Sequence, residues 1–360
     1  MFIESYFPVR SDVALAIEYS FCAFLLYFFG RKFIQQVEIA EDLYRKFNTW
    51  FGLALLAFLC TVPELCSSVI AITTLPIEHS VDLVAGTLLG ANAFSFLLIF
   101  LLSFFQKEQP FLFHLRRSLT MAVAYSVLLT SLLGIPILTY SMPSKISTLQ
   151  NVDFFVLWIP LLVLFFWGFG MKTIFTTAIQ EQKFPKFPST RPPSSLGNFL
   201  GLLCTGGILV GTSIWVTQLG QLLSTYPIPY EVHSFRLGPL FVGTFITAII
   251  LSLSKVGILM GGVLGRRLDL VLLLLLGSTL SNLFTLTCCY FYQGSSFLIR
   301  LQPHLLSIFL NLLFLGVGLS SLSSSGKKAP VRLGIEFLLI LLLWGFWLSE
   351  FLFKSLIKVS

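Results

Sequence analysis

Long runs of apolar residues alternate with short polar segments along the whole chain. Each run extends over about twenty residues, the length that an α-helix needs to cross the hydrocarbon core of a bilayer. A segment inside lipid must satisfy its own backbone hydrogen bonds, so these runs are predicted to be helical. They lack the alternation of a membrane β-barrel. The pattern predicts ten membrane spans, at about residues 12–30, 48–75, 81–105, 118–140, 153–178, 197–223, 237–264, 268–292, 300–322 and 332–353.

The composition agrees with an all-α polytopic membrane protein. Of the 360 residues, 56% are hydrophobic and 11% are charged, and the mean hydropathy is +0.90. A soluble domain has about a quarter of its residues charged. The sequence contains no glycine-rich phosphate loop, nucleophile elbow or His-Glu-x-x-His motif, so nothing in it indicates an enzyme. We therefore expect an integral, multi-pass protein whose main partner is the lipid bilayer.

Lysine and arginine residues are distributed unequally between the two sides of the predicted bundle. Six lie on the side of the two termini and sixteen on the opposite side, and Lys255 lies within a span, which accounts for all 23. The positive-inside rule places the richer side in the cytoplasm and both termini on the non-cytoplasmic side, with the cell (inner) membrane as the expected location. The net charge of +7 then reflects orientation and anionic lipid headgroups, and no nucleic-acid partner is indicated.

The longest polar connector divides the chain into two halves. Residues 179–196 form a basic segment with four prolines, which predicts an extended cytoplasmic linker. Five spans precede it in residues 1–178 and five follow it in residues 197–360. Because each half has an odd number of spans, the second half enters the membrane inverted. Inverted repeats are typical of secondary transporters, whose binding site lies where the repeats meet.

The sequences of the two halves can be aligned over a first segment of fifteen residues, 51–65 in the first half and 242–256 in the second. The segment FGLALLAFLCTVPEL of the first half aligns with VGTFITAIILSLSKV of the second. This alignment places Ala57 opposite Ala248, and Glu64 opposite Lys255. An ionisable residue near the middle of a span is costly unless it has a partner. We therefore expect Glu64 and Lys255 to approach within ion-pair distance at the centre of the bundle.

A second element aligns further along each half. The segment DLVAGTLLGANAFSFLL begins at Asp82, and DLVLLLLLGSTLSNLFT begins at Asp269. The alignment places Gly90 opposite Gly277. Both elements keep their order in the two halves, as an internal repeat requires.

The motifs of the first half resemble a known family. The PEL at residues 63–65 and the GANAF at residues 90–94 are similar to the first α-repeat of the sodium/calcium exchanger family, a group of cation antiporters. The resemblance covers about residues 50–105 and, more weakly, about residues 241–292. It implies ten helices in two inverted repeats of five, and cation antiport by alternating access.

The resemblance also implies an ion site, built in that family from two glutamates, neighbouring hydroxyls and a polar pair on the following helix. It implies no resident cofactor, and a transported inorganic cation such as Na+, H+ or Ca2+. Mapped onto this sequence, the ion and coupling site comprises Glu64, Lys255, Thr61, Ser252, Ser278, Asn282 and Ser95. The positions with oxygen atoms for a metal ion are Glu64, Thr61, Ser252, Ser278 and Asn282.

This chain departs from the family pattern at several of those positions. Lys255 stands where the family has its second glutamate, Ser254 replaces the proline before it, and Ala91 replaces a polar ligand. Two carboxylates would neutralise a Ca2+ ion, whereas Glu64, Lys255 and Ca2+ would leave two uncompensated positive charges in a low-dielectric centre. A protonated lysine also has no lone pair with which to bind a cation.

Three interpretations follow from the lysine. In the first, the Lys255 ammonium takes the place of a bound ion beside Glu64, and transport is coupled to protonation or uses a substrate other than Ca2+. In the second, the protein exchanges a monovalent cation at a reduced site. In the third, transport is lost, and the ion pair holds the two halves together in a structural or partner-binding membrane protein. The sequence does not identify a protein partner.

Overall fold

The computed structural model describes residues 12–45, 50–105, 117–141, 152–181, 195–225, 228–229, 234–235, 238–264, 268–323 and 338–350. Almost all of these residues are helical, as the apolar runs predict. The helices are α1 (Asp12–Arg45), α2 (Trp50–Leu59), α3 (Val62–Thr74), α4 (Ile77–Phe105), α5 (Arg117–Ser141), α6 (Val152–Glu181), α7 (Ser195–Thr225), α8 (Pro239–Phe241), α9 (Ala248–Leu264), α10 (Leu268–Gln293), α11 (Ser295–Arg300), α12 (Leu305–Ser323) and α13 (Leu338–Glu350).

Three short elements complete the description. A π-helical segment, Val242–Thr247, joins α8 to α9 in one continuous helix. A 3-10 turn, Gln302–His304, joins α11 to α12. Two-residue strands β1 (Ile228–Pro229) and β2 (Ser234–Phe235) pair antiparallel between α7 and α8.

Eight of the described helices are long and apolar enough to cross a membrane. The second predicted span is divided between α2 and α3, and the tenth corresponds to α13, whose thirteen described residues are too few to qualify. The count of ten spans therefore stays a prediction. Most of the predicted linker, residues 182–194, lies outside the described residues, and so do both chain termini.

The break between α2 and α3 follows from one proline. Pro63 has no backbone N–H and cannot donate to the carbonyl oxygen of Leu59, so the helix ends there and a new one begins at Val62. The aligned position in the second half is Ser254, and α9 runs through it without interruption. The second half has its irregularity earlier, in the π-helical segment, a form that occurs mostly as single turns and often at functional sites.

Four central helical segments form the middle of the bundle: α2–α3, α4, α8–α9 and α10. Helices α4 and α10 are the most enclosed, with about nine tenths of their spanning residues buried. The outer helices expose large apolar side chains, such as Phe165 on α6 and Leu203 on α7. These exposed faces have the character expected of lipid contacts.

Two glycines allow the central segments to approach closely. A Cβ atom added to Gly90 on α4 would lie 2.8 Å from the Cβ of Ala248 on α9. A Cβ atom added to Gly277 on α10 would lie 2.7 Å from the Cβ of Ala57 on α2. The alignment of the two halves matches Gly90 with Gly277 and Ala57 with Ala248. Each contact is therefore the counterpart of the other when the halves are exchanged.

The two ends of the bundle are distinguished by contacts between helix termini. At one end α1, α4 and α8 begin and α3, α7 and α10 finish; here Gln293 donates from its Nε2 to the Oγ of Ser80, at 3.3 Å. We call this the N-terminal end. At the opposite end α5 begins and α6 finishes, and the hydroxyl of Ser118 donates to Oε2 of Glu181, at 2.7 Å.

Candidate ion site at the bundle centre

The expected contact between Glu64 and Lys255 is present. The Nζ atom of Lys255 lies 3.0 Å from Oε1 of Glu64, and both side chains are 0% exposed. Their charges oppose each other at the distance of a strong ion pair. Among the residues that the structure describes, neither charged group has a hydrogen-bond partner, so this ion pair is the polar contact that each makes.

Local helix geometry favours the carboxylate at this position. Glu64 lies in the first turn of α3, which begins at Val62 because of Pro63. The N-terminus of a helix carries a partial positive charge, so a carboxylate in the first turn is stabilised. The lysine receives no such support, because Lys255 lies in the interior of α9. Its stabilisation inside the bundle depends on the carboxylate.

The predicted hydroxyls beside the pair are both buried. The Oγ1 of Thr61, at the α2–α3 break, donates to the carbonyl oxygen of Phe58 at 2.6 Å. The Oγ of Ser252, one turn before Lys255, has no partner among the described residues. The oxygen lone pairs of both residues therefore stay available to a small ligand.

The predicted pair on α10 and its counterpart on α4 lie in the same layer. The hydroxyl of Ser278 donates to the carbonyl of Leu275 at 2.8 Å, and that of Ser95 donates to the carbonyl of Ala91 at 2.7 Å. The side-chain amide of Asn282 donates from Nδ2 to the side chain of Asn92. The structure thus buries all seven predicted site residues. Two of them, Glu64 and Lys255, are in direct side-chain contact.

Asn92 is the residue that the sequence-based site omitted. Its Oδ1 accepts from Nδ2 of Asn282 at 2.8 Å, and its own Nδ2 donates to the carbonyl oxygen of Thr279 at 3.3 Å. These bonds connect α4 with α10 across the centre. The asparagine within the GANAF motif was the available signal, but the motif alone does not show that its side chain reaches the other half.

Aligned positions meet at two places in this layer. Glu64 contacts its aligned counterpart Lys255, and Asn92 contacts its aligned counterpart Thr279. In a two-fold arrangement, a residue on the axis contacts its own equivalent. These contacts, with the reciprocal glycine contacts above, have the pattern of a two-fold axis through the bundle centre.

The charges of the site differ from those that would hold Ca2+. Glu64 and Lys255 sum to zero, and Ala91, which is fully buried, contributes no oxygen. A bare Ca2+ ion takes six to eight oxygen ligands, commonly with several carboxylates. Among the described residues, no group of three or more His, Cys, Asp or Glu side chains is close enough to hold a metal ion.

A second ionisable pair lies away from the centre, at the N-terminal end. Nε2 of His304 is 3.4 Å from Oδ1 of Asp82; the histidine is 0% exposed and the aspartate 24% exposed. The sequence indicates that Asp82 lies near the start of a helix, but nothing in it shows that the histidine packs against that turn. The pair connects α4 with the turn before α12.

Comparisons with known proteins bear on the family and on the fold. Residues 19–167 match the model of the family described as sodium/calcium exchanger protein. The resemblance to the sodium/calcium exchanger family is confirmed. The match includes the α2–α3 break, Glu64 and Asn92, whereas Lys255 lies beyond it. By sequence, the first half of the chain is therefore similar to this family.

One solved structure shows the same fold over nearly the whole chain. The structure of native YfkE matches with a TM-score of 0.55 and 17% sequence identity, covering 94% of this chain and 92% of that chain. At this identity the likeness concerns the fold. No curated protein sequence matches the chain.

Proposed function

We propose that this protein is a secondary active transporter of the sodium/calcium exchanger type in which Lys255 replaces a bound cation. The observation that carries the proposal is the buried contact of 3.0 Å between Lys255 and Glu64, at the meeting point of the two halves. The lysine ammonium supplies the positive charge that a transported ion would otherwise bring to the carboxylate.

The proposal uses two inverted five-helix repeats that exchange access to the centre. The support for this arrangement is the reciprocal packing of Gly90 on Ala248 and of Gly277 on Ala57. Repeats of this kind let a transporter expose one central site alternately to the two sides of the membrane. The charge distribution of the loops supports placing both termini on the non-cytoplasmic side of the cell membrane.

The internal pair changes which ion can be coupled to transport. A divalent ion would add two positive charges to a site whose net charge is zero, at a large cost in a low-dielectric centre. A proton on Glu64, or a monovalent cation competing with the ammonium of Lys255, adds one charge at most. We therefore propose coupling to H+ or to a monovalent cation such as Na+, with Thr61, Ser252, Ser278, Asn282 and Ser95 contributing oxygen atoms near the pair.

A flux assay in proteoliposomes tests the proposal. Purified protein is reconstituted, and gradients of H+, Na+, K+ and Ca2+ are imposed in turn while internal pH and internal Ca2+ are followed with dyes. We expect flux with H+ or a monovalent cation, none with Ca2+, and loss of flux in Glu64→Gln. Glu181→Gln, which removes a carboxylate at the edge of the bundle, is the matched control and should transport normally. Absence of flux under all gradients, in folded protein, would refute transport.

The second candidate is a membrane protein that keeps the exchanger scaffold without transport. Its support is the loss of an oxygen ligand at Ala91 together with the neutral central pair. In that case the pair holds the two halves in one arrangement and the protein acts as a structural or partner-binding subunit. Folded protein without flux, whose melting temperature falls when the pair is broken, would favour this candidate.

A further inference from the structure

Buried polar side chains are concentrated in one half of the central helical segments. From the layer of the ion pair to the N-terminal end, α3, α4, the α8–α9 segment and α10 carry a series of buried hydroxyl and amide side chains. Helix bounds place them within about five turns of the central pair. They include Ser67, Ser68, Ser80, Thr87, Thr244, Thr247, Ser252, Ser281, Asn282, Thr285 and Thr287.

The other half of the same segments is apolar. Every described and buried side chain between the ion pair's layer and the opposite end, on α2, α4, α9 and α10, is hydrophobic. Two polar residues of the sequence, Ser103 and Asp269, stand within three residues of the far helix ends. The buried apolar side chains include Leu53, Leu98, Phe100, Ile258, Leu259, Leu272 and Leu274.

The repeat alignment shows that these two halves are counterparts of each other. An inverted repeat carries each position near one end onto an equivalent position near the opposite end. Thr87 corresponds to Leu274, and when the first aligned element is continued by three residues, Ser68 corresponds to Leu259. The polar side chain is in each case on the N-terminal side of the centre, and its counterpart is a leucine that is at most 2% exposed.

The same substitution recurs on the other two segments. Thr244 corresponds to Leu53, and Thr285 corresponds to Leu98. The contrast therefore occurs in all four segments and in both directions of the alignment. Chance placement of a few serines on one helix would not produce it.

Several of the polar groups on the N-terminal side lack partners. The hydroxyl oxygens of Thr87, Thr244 and Thr247 are buried and make no hydrogen bond to the residues that the structure describes. Ser252, next to the ion pair, shares this property. Buried hydroxyls are normally paired, with protein groups or with water, so an array of them marks a route that water can occupy.

The route meets the ion pair from one direction. Thr247 precedes Lys255 by eight residues on one helix, a rise of about 12 Å at 1.5 Å per residue. The first unpartnered hydroxyl, Ser252, is one turn from the ammonium. Beyond the pair, α9 continues as apolar residues that include Ile258 and Leu259.

We infer that water from the N-terminal end reaches the Glu64–Lys255 pair and makes it proton-accessible from that side. The apolar half is a dry layer that closes the opposite route until the two repeats rearrange. The inference rests on the proposed function for the role of the pair, and it adds which side supplies the proton. Given the charge of the loops, that side is the non-cytoplasmic one.

Matched cysteine pairs test the inference without measuring transport. In a background with the six native cysteines replaced by alanine, Thr87→Cys and Leu274→Cys put thiols at equivalent depths on the two sides of the centre. The protein is kept in detergent micelles, so that both ends face solvent. Each thiol is then reacted with 2-aminoethyl methanethiosulfonate, a small cationic reagent, and the modified fraction is followed with time by mass spectrometry.

We expect the thiol at position 87 to react at least about tenfold faster than that at position 274, because the reacting thiolate is disfavoured in apolar surroundings. Equal rates, or faster reaction at position 274, would overturn the inference. A single symmetrical peak in size-exclusion chromatography serves as the check that each variant is folded. If one of them is not, Ser68→Cys and Leu259→Cys supply a second matched pair with the same expectation.

The labelling result is separate from the flux result. One-sided labelling without flux would keep the access route and remove the transport proposal. Flux with equal labelling on both sides would keep the transport proposal and remove the one-sided route.

Discussion

Replacing Lys255 by methionine isolates the contribution of the central ion pair. The substitution keeps a similar side-chain volume but leaves the Glu64 carboxylate buried without its partner. At 3.0 Å and an effective dielectric constant of about 20, the attraction lost is roughly 5.5 kcal/mol. Part of this is offset by the desolvation cost that the lysine no longer bears. Breaking a buried pair on one side typically costs about 3–5 kcal/mol, which is the loss of stability we expect.

The double replacement separates pairing from packing. In Glu64→Met with Lys255→Met both charges are gone, and replacing a buried pair by apolar side chains of similar volume is often neutral or stabilising by about 1–4 kcal/mol. The double variant should therefore be more stable than either single variant. The effects of substitutions at independent sites add to within about 0.5 kcal/mol. The coupling energy obtained from this double-mutant cycle should be well above that limit.

The assay is reversible chemical unfolding in mixed micelles, followed by tryptophan fluorescence, for the wild type and the three variants. Thermal melting of the same samples gives an independent order of stability. Additive effects, with the double variant the least stable of the four, would refute the claim that the two side chains stabilise each other.

Three further predictions follow from the same geometry. Lys255→Glu, which places a second carboxylate opposite Glu64, should raise the melting temperature in millimolar Ca2+ where the wild type shows no rise; an unchanged melting temperature would mean that oxygen ligands such as the one missing at Ala91 decide binding. Gly90→Ala, whose Cβ would lie 2.8 Å from that of Ala248, should lower the free energy of unfolding by about 1–3 kcal/mol through overpacking. The control Gly207→Ala, with no atom within 4 Å of its added Cβ, should leave the free energy of unfolding unchanged or raise it by up to about 1 kcal/mol. Equal effects of the two substitutions would contradict the close packing at Gly90. Asn92→Leu removes the bonds to Asn282 and Thr279 and should cost about 0.6–2 kcal/mol in the same unfolding assay; an unchanged stability would show that these amides do not hold α4 against α10.

The positions of the long helices and the contact between Glu64 and Lys255 could both be predicted from the sequence. The apolar runs give the positions of the long helices because a spanning segment has to satisfy its own backbone. The sequence predicts that Glu64 and Lys255 meet, because each is the only charged residue of an apolar span and the repeat aligns them. Pro63 explains the break between α2 and α3, which the single predicted span 48–75 does not contain, because proline cannot continue a helix from its interior.

Other features depend on tertiary contacts that a sequence pattern does not contain. Asn92 is one asparagine in a motif until α10 brings Asn282 to 2.8 Å from it. His304 is placed by the short turn before α12, and its contact with Asp82 cannot be inferred from spacing. The sequence pattern does not indicate the π-helical segment, in which Thr244 lies in close contact with Gly86 and Gly90 of α4.

The polar and apolar halves of the central segments show how an internal repeat adds information. On one helix, Thr87 is an ordinary threonine near a glycine. Compared with its counterpart Leu274, it becomes evidence that the two routes to the centre differ. The same comparison at Glu64 and Lys255 shows the chemical change at the centre itself. In both cases the departure from symmetry carries the functional information.

Equilibrium binding of radioactive Ca2+ to the purified wild-type protein tests the central claim most directly. If the Lys255 ammonium occupies the place of the ion beside Glu64, the wild type should show no saturable Ca2+ binding at millimolar concentration. Saturable binding that disappears in Glu64→Gln, with Lys255 unchanged, would contradict the claim that the lysine replaces the cation.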